Sequence, residues 1–156
     1  MPEILHAFLL PAEIDALLRL ADGPRAWTLG RQGTGYDISS LKGLAPPAAP
    51  AAGLPAIARA ISHLGTPHEQ YWDAYLIRYR DGAYVPPHVD PAQPGRRHRR
   101  LNAMLSQPAG GGDLRIGGQP IALSPGDAVV FYSDQEVHEV APVTGTRLLF
   151  SVGVWL

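Results

Sequence analysis

Hydrophobic and polar positions change their spacing along the chain near residue 71. Before that point, apolar residues recur every three or four positions in two segments, which predicts amphipathic helices at 11–21 and 54–64. Gly65 follows the second segment directly and is typical of a helix end. Two shorter segments between the helices, 27–31 and 36–41, are predicted to be strands joined by a glycine-containing turn.

From residue 71 onwards the chain consists of short alternating segments separated by Gly and Pro, which is typical of a β-sandwich or barrel. We expect the two helices to cover the apolar face of the larger sheet. The glycines at 110–112 are interpreted as a bulge or turn, and residues 43–53, rich in Pro, Ala and Gly, as a loop. The predicted strands are about 71–80, 84–90, 99–106, 113–117, 119–124, 127–132, 137–142 and 146–155.

Composition favours a single globular domain, 1–156, whose core is about 71–156. Hydrophobic residues make up 46% of the chain and charged residues 17%, which is typical of a folded protein. The net charge of −1 gives no general attraction to nucleic acid or to an anionic membrane. The absence of cysteine excludes disulfides and thiolate metal sites. No signal peptide or membrane-spanning run is recognised, so the expected location is the cytoplasm.

Three residues carry the most specific chemistry in the chain: His88, Asp90 and, 48 residues later, His138. Two imidazoles and one carboxylate are the ligand set that holds Fe(II) on one face and leaves the other face open. Single histidines of this kind are often surface residues, but a ligand cluster seldom arises by chance. Arg147 follows in a strand-like segment, where its planar guanidinium could pair with a carboxylate in the same cavity.

These residues lie in segments that resemble the Fe(II)/2-oxoglutarate-dependent dioxygenases, specifically their prolyl 4-hydroxylase-like branch. The resemblance covers 71–156 and rests on four segments, 79–90, 111–116, 125–131 and 137–147, which hold the ligands and the arginine in family order. It implies a mainly β fold, a double-stranded β-helix (jelly roll), with two flanking N-terminal helices. It also implies iron at the opening of the barrel and 2-oxoglutarate beside it.

The resemblance also assigns roles to individual residues. Arg147 is implied to hold the distal carboxylate of 2-oxoglutarate, and Tyr79 is implied to donate a hydrogen bond to 2-oxoglutarate. An equally good interpretation is that Tyr79 is a buried core residue. The family tyrosine near Met104 is absent, and Asn102 is the expected substitute. A carboxylate at Asp90 indicates hydroxylation rather than halogenation. O2 is the second cosubstrate, ascorbate is a possible stimulant, and no catalytic residue beyond the metal ligands is expected.

The substrate is expected to be an amino acid, free or in a short peptide. The residues that contact the substrate are predicted to lie in the segment before the second helix and in the segment that immediately precedes the metal ligands. Nucleic acid and membrane partners are not expected, and the sequence does not define an oligomeric state. The residues predicted to contact substrate are Arg31, Gln32, Tyr36 and Tyr84, with Trp27 and Lys42 as further members of the same region.

A basic run at 96–100 leaves two interpretations open: a solvated loop, which we favour, or a loop that attracts an anionic substrate. Because no aromatic residue is interleaved with the run, base stacking is not indicated. Two alternative functions therefore remain, an AlkB-like demethylase of nucleic acid or lipid and a catalytically silent barrel that binds a small acid. His6, His63 and His68 have no partner at ligand spacing and are interpreted as structural or exposed.

Overall fold

The computed structural model describes residues 1–44, 54–65 and 71–156. The loop expected at 43–53 therefore falls mostly outside the described residues, and so does His68.

The two helices form where the apolar spacing predicts them. Helix α1 spans Pro11–Asp22 and helix α2 spans Pro55–Leu64, each with proline at its first turn, where a missing N–H costs nothing. The carboxylate of Glu13 accepts a hydrogen bond from the backbone N–H of Leu10 at 2.8 Å, which caps α1. Gly65 ends α2 with a φ of 140°. Among the described residues, no helix has the length and apolar character needed to cross a membrane.

The remaining elements are strands arranged as two facing sheets, which confirms the predicted double-stranded β-helix. The strands are β1 Glu3–Leu5, β2 Thr28–Leu29, β3 Tyr36–Ser40, β4 Trp72–Tyr79, β5 Val85–His88, β6 His98–Ser106, β7 Gly110–Gly111, β8 Leu114–Ile116, β9 Gln119–Ile121, β10 Ala128–Tyr132, β11 His138–Val140, β12 Val143–Thr144 and β13 Arg147–Trp155. Within the described ranges, the larger sheet has seven strands in the order β1-β10-β6-β13-β4-β3-β2, and the smaller has four in the order β5-β11-β8-β9. A separate pair joins β12 to β7.

The structure differs from the sequence-based assignment in two places. The strand Glu3–Leu5 was not predicted; it forms because it pairs with β10, a long-range partner that no local pattern reveals. The glycines at 110–112, interpreted as a bulge or turn, include the short strand Gly110–Gly111, which pairs with Val143–Thr144. Gly111 and Gly112 both have positive φ values, 63° and 74°, so glycine is needed for the backbone conformation at the end of this strand.

The large sheet separates two cores by the alternation of its strands. One face packs against both helices through residues such as Leu76, Leu101 and Phe150, which confirms the expected helical cover. The other face turns toward the small sheet and contributes Ile77 and Leu149 to a second cluster. Because both faces of β13 are covered, eight of its nine residues are buried.

Candidate metal centre and ligand cavity

A cavity of about 450 Å³ lies between the two sheets and receives every second residue of the strands around it. Its volume is in the range typical of small-molecule sites. The chemistry-bearing residues on its wall are His88, Asp90, His138, Arg147, Arg31, Gln32, Tyr36, Tyr79, Asp73, Tyr75, His98, Arg100 and Asn102.

His88, Asp90 and His138 converge at one point of this cavity. Each offers one ligand atom, and these atoms lie within 4.8 Å of one another. His88 and His138 are direct partners in the β5–β11 ladder, and their ring centroids are 4.2 Å apart. Asp90 lies two residues beyond the end of β5, and its backbone N–H donates to the carbonyl of Ser133 at 2.7 Å. The pairing of β5 with β11 thus positions the two imidazoles, and the hydrogen bond from the backbone of Asp90 to Ser133 positions the carboxylate.

The outer nitrogen of each imidazole is free for a metal. Nδ1 of His88 lies 2.9 Å from the carbonyl of Pro86, and Nδ1 of His138 lies 3.0 Å from the carbonyl of Glu136. A carbonyl can only accept, so we assign the proton of each ring to Nδ1, which leaves the Nε2 lone pair for a ligand. Second contacts of this kind orient histidines in metal sites. The donor set therefore fits a divalent cation such as Fe(II).

The carboxylate of Asp90 is held in its charged form. Burial alone would raise the pKa of Asp90, but hydrogen bonding to His88 and the charge of Arg100 outweigh it, so the pKa lies well below its usual range. Oδ1 lies 3.6 Å from Nε2 of His88 and accepts a hydrogen bond from Arg31 at 2.7 Å. A charged carboxylate is the form that coordinates metals.

The two histidines differ in their protonation equilibria. Hydrogen bonding to Asp90 raises the pKa of His88, whereas burial lowers the pKa of His138. His138 is therefore biased toward the neutral form that metals bind, whereas the raised pKa of His88 favours the protonated form, which competes with metal binding.

Arg147 presents a buried cation on the same wall. Only 1% of the residue is exposed, and within the described residues its Nε and Nη1 have no hydrogen-bond partner. Burial lowers the pKa of Arg147, and the neighbouring ring of Tyr79, 4.9 Å from the guanidinium carbon, offsets this only in part. Because an unpaired buried charge is costly, this geometry is suited to an anionic ligand.

Two further predicted cosubstrate residues lie on the cavity wall. Tyr79 pairs with Arg147 in the β4–β13 ladder, its ring stacks on that of Tyr36 at 5.5 Å, and burial raises the pKa of its hydroxyl. Asn102 accepts a hydrogen bond from the hydroxyl of Ser151 at 2.6 Å. Tyr79 is thus a core residue and a cavity residue at once, so its two interpretations do not exclude each other.

Of the residues predicted to contact substrate, Arg31, Gln32 and Tyr36 line the cavity, and Tyr36 donates a hydrogen bond to Gln32. Tyr84 does not line it: the residue is 41% exposed, and its neighbour Val85 takes the inward position.

Trp27 and Lys42 also lie away from the cavity wall, contrary to prediction. Trp27 is stacked under the guanidinium of Arg78, and the amine of Lys42 donates to the carbonyl of Trp72 at 2.6 Å. Both residues were selected by their place in the chain, without a strand register that could tell the inner from the outer face.

The strand predicted to begin at residue 99 begins at His98, so the last three residues of the basic run, 98–100, belong to β6. The interpretation of the run as solvated is wrong for His98 and Arg100, which line the cavity. Burial together with the charge of Arg100 lowers the pKa of His98 to about 4. Arg99 points to the other face, where its guanidinium donates to the carbonyls of His63 and Leu64 at the end of α2.

Arg96 and Arg97 stack on aromatic rings that come from elsewhere in the chain. Their guanidinium carbons lie 3.6 Å from the ring of Tyr71 and 3.8 Å from the ring of Tyr132. Sequence inspection missed these aromatics because they are not interleaved with the run. Each arginine already occupies a face of its tyrosine, so these pairs do not form an open stacking surface for bases.

The remaining histidines behave as expected for residues outside the site. His6 is largely exposed and lies 3.5 Å from Asp127, and His63 lies 3.3 Å from Glu3.

Comparison with known families identifies the class of this protein. Residues 74–156, just over half of the chain, match the model of the 2OG-Fe(II) oxygenase superfamily. The chain therefore belongs to that superfamily. The His–Asp–His group fits the iron that the family name specifies.

Individual relatives agree with this assignment. The chain is 42% identical over 86 residues to a PKHD-type hydroxylase of Maricaulis maris (strain MCS10), a match that covers 50% of this chain and 39% of the relative. A prolyl-4-hydroxylase of Pseudomonas putida has a similar fold, with a TM-score of 0.71, 23% identity and coverage of 99% of this chain and 91% of that one. A viral collagen prolyl hydroxylase of Paramecium Bursaria Chlorella virus-1 gives a TM-score of 0.64 at 16% identity, with 99% and 94% covered.

Proposed function

We propose that this protein hydroxylates a C–H bond of an amino acid, free or within a peptide, using Fe(II), 2-oxoglutarate and O2. One observation carries the proposal: the donors of His88, Asp90 and His138 face the same cavity as the guanidinium of Arg147, whose Nε and Nη1 have no hydrogen-bond partner among the described residues. A dicarboxylate can be held at both ends by such a cavity. The relative named a hydroxylase supports the reaction type, and the prolyl hydroxylases of similar fold support an amino-acid substrate.

In this proposal His88, Asp90 and His138 hold the iron, which supplies O2 activation coupled to decarboxylation of 2-oxoglutarate to succinate and CO2. Arg147 binds the distal carboxylate through two parallel N–H donors. Tyr79 places a hydroxyl beside that arginine, and Asn102 offers an amide on the neighbouring strand β6. The apolar side chains of Leu114, Leu149 and Val140 exclude water from the space between.

The metal assignment is tested by titrating the protein with Mn(II), which replaces Fe(II) without redox chemistry. We expect one ion per chain for the unaltered protein and loss of that stoichiometric binding in His138→Ala. His63→Ala is the matched control, because His63 lies outside the cavity and contacts Glu3. Equal Mn(II) binding by His138→Ala and the unaltered protein would contradict the assignment.

The enzymatic assignment is tested by succinate release from 2-oxoglutarate under Fe(II) and air. Release that rises with an added amino acid or peptide supports hydroxylation. A protein that binds Mn(II) and 2-oxoglutarate yet never forms succinate would instead be the catalytically silent barrel.

A further inference from the structure

A second polar cluster lies on the cavity wall, on strands of the larger sheet, whereas the metal-ligating histidines lie on β5 and β11 of the smaller sheet. Asp73 of β4, Gly153 of β13 and Arg100 of β6 are direct cross-strand neighbours, with the glycine in the middle. His98 of β6 adjoins them, and Nε of Arg100 lies 4.0 Å from Oδ2 of Asp90. The cluster therefore flanks the metal centre within the same cavity.

Gly153 is required for space and not for its backbone conformation. It lies inside a regular strand, where glycine is less favourable than alanine because it loses more conformational freedom on folding. A Cβ at this position would lie 2.6 Å from Nε2 of His98 and 2.9 Å from both Nη2 of Arg100 and Oδ1 of Asp73. Glycine within a strand often marks the close approach of another group, and here three polar side chains converge over it.

The two charged residues of this cluster, Arg100 and Asp73, differ in how many of their hydrogen-bonding atoms have partners in the protein. The guanidinium of Arg100 donates to Ser151 at 2.7 Å and to Asp73 Oδ2 at 3.2 Å, so its donors are engaged by the protein. Asp73 is the opposite case, because its Oδ1 is buried and has no hydrogen-bond partner within the described residues. A carboxylate can accept up to about four hydrogen bonds, and the Asp73 side chain as a whole is 24% exposed on the cavity wall, so it retains unused acceptor capacity there.

We propose that Asp73, oriented by Arg100 and given space by Gly153, binds an ammonium group of the substrate. This inference rests on the proposed function and narrows its substrate to an amino acid whose nitrogen is charged. A cation is the expected partner because an under-satisfied buried carboxylate needs donors, and a charged donor forms the stronger bond. A peptide amide nitrogen carries no charge and fits this site less well.

The ammonium group could be the α-amino group of a free amino acid or the side chain of a lysine, and a panel of compounds separates the two. Free L-amino acids with aliphatic side chains carry only the first, and Nα-acetyl-lysine amide carries only the second. Nα-acetyl amides of the aliphatic amino acids carry neither. Each compound is titrated calorimetrically into the full chain loaded with Mn(II) and 2-oxoglutarate, and tested for stimulated succinate release with Fe(II).

We expect compounds with an ammonium group to bind and stimulate, and their acetylated counterparts to do neither. Asp73→Asn should raise the Kd and the KM for the amine by roughly 10- to 100-fold, the loss expected for one charge-assisted hydrogen bond. The Kd values for Mn(II) and for 2-oxoglutarate should not change. Asp37→Asn is the matched control, because Asp37 pairs with Arg78 on β3 and β4 outside the cavity wall.

Several results would overturn the inference. One such result is equal binding of the acetylated and the free compounds to the unaltered protein, a test that does not require any variant to fold. An unchanged Kd for the amine in Asp73→Asn would also do so. If no compound binds while 2-oxoglutarate does, the inference fails and the proposed function stands, whereas absence of 2-oxoglutarate binding removes both.

Discussion

Two arginines on the wall of one cavity, Arg147 and Arg100, differ in what surrounds them. Arg100 bonds Asp73 and Ser151, and although burial opposes its charge, Asp73 and Asp90 raise its pKa. Arg147 has no anionic partner among the described residues, and burial lowers its pKa. Arg100 thus belongs to the protein's own network, and the difference supports the proposal that Arg147 takes its anion from a ligand.

The largest effect is expected for the affinity of the protein for 2-oxoglutarate. Arg147→Ala should weaken binding of 2-oxoglutarate to the Mn(II)-loaded protein by about 2–4 kcal/mol, because a charge-assisted pair is lost. Arg147→Lys should restore part of this affinity, since lysine keeps the charge but lacks the planar pair of donors. Isothermal titration measures both, with Mn(II) affinity as the control. Equal affinities in all three proteins would assign the role to another residue.

The next prediction concerns the stability of the ligand-free protein. Arg100→Met leaves Asp73 unpaired and should reduce the free energy of unfolding by about 2 kcal/mol, below the full cost of breaking a buried pair because Asp73 is 24% exposed. Arg147→Met removes an unpaired buried charge and should leave that free energy unchanged or higher by up to about 1 kcal/mol. Urea unfolding measures the free energy of unfolding of both variants. A similar loss in both would contradict the proposed difference between Arg100 and Arg147.

The sequence predicted the metal ligands and Arg147, but it did not predict the network around Arg100. Ligand chemistry and spacing predicted His88, Asp90, His138 and Arg147, and the structure places all four on one cavity wall. The network around Arg100 was missed because a run of charges usually indicates solvent exposure. A signal was present, since apolar Leu101 and Ala103 alternate with their polar neighbours and fix which face turns inward.

Long-range features were beyond the reach of local patterns. Asp73 meets Arg100 across Gly153, and this depends on the order of β4, β13 and β6 in the sheet. The strand Glu3–Leu5 likewise depends on its pairing with β10. The alternation in the second half of the chain, by contrast, predicted the sheets well, because burial of one face imposes period two on the sequence.

A smaller effect tests the neighbour of Arg147. Tyr79→Phe keeps the stacked ring and removes only the hydroxyl, so it should weaken 2-oxoglutarate binding by about 1 kcal/mol and leave Mn(II) binding unchanged. The same titration measures it. No loss of affinity would leave Tyr79 with a packing role alone.

The smallest effect comes from a third arginine, Arg59 of α2, which bonds Glu13 of α1 at 2.6 Å and is 39% exposed. Hydrogen bonding from Arg59 is the main cause of the lowered pKa of Glu13. The resulting stability is present above the ordinary glutamate pKa and is lost as the pH falls through the lowered one. Glu13→Gln should therefore cost about 0.5–1 kcal/mol at neutral pH and converge with the unaltered protein in acid. Urea unfolding across pH measures this, and a constant difference would contradict it.

The central claim is that the His–Asp–His group and Arg147 hold opposite ends of one ligand, and reciprocal titration tests it most directly. Mn(II) affinity is measured with and without 2-oxoglutarate, and 2-oxoglutarate affinity with and without Mn(II). If both groups hold the same ligand, each ligand strengthens the binding of the other by the same factor, as linkage requires, and the coupling disappears in His138→Ala. Independent binding of the two ligands to the unaltered protein would show that the His–Asp–His group and Arg147 do not share a ligand.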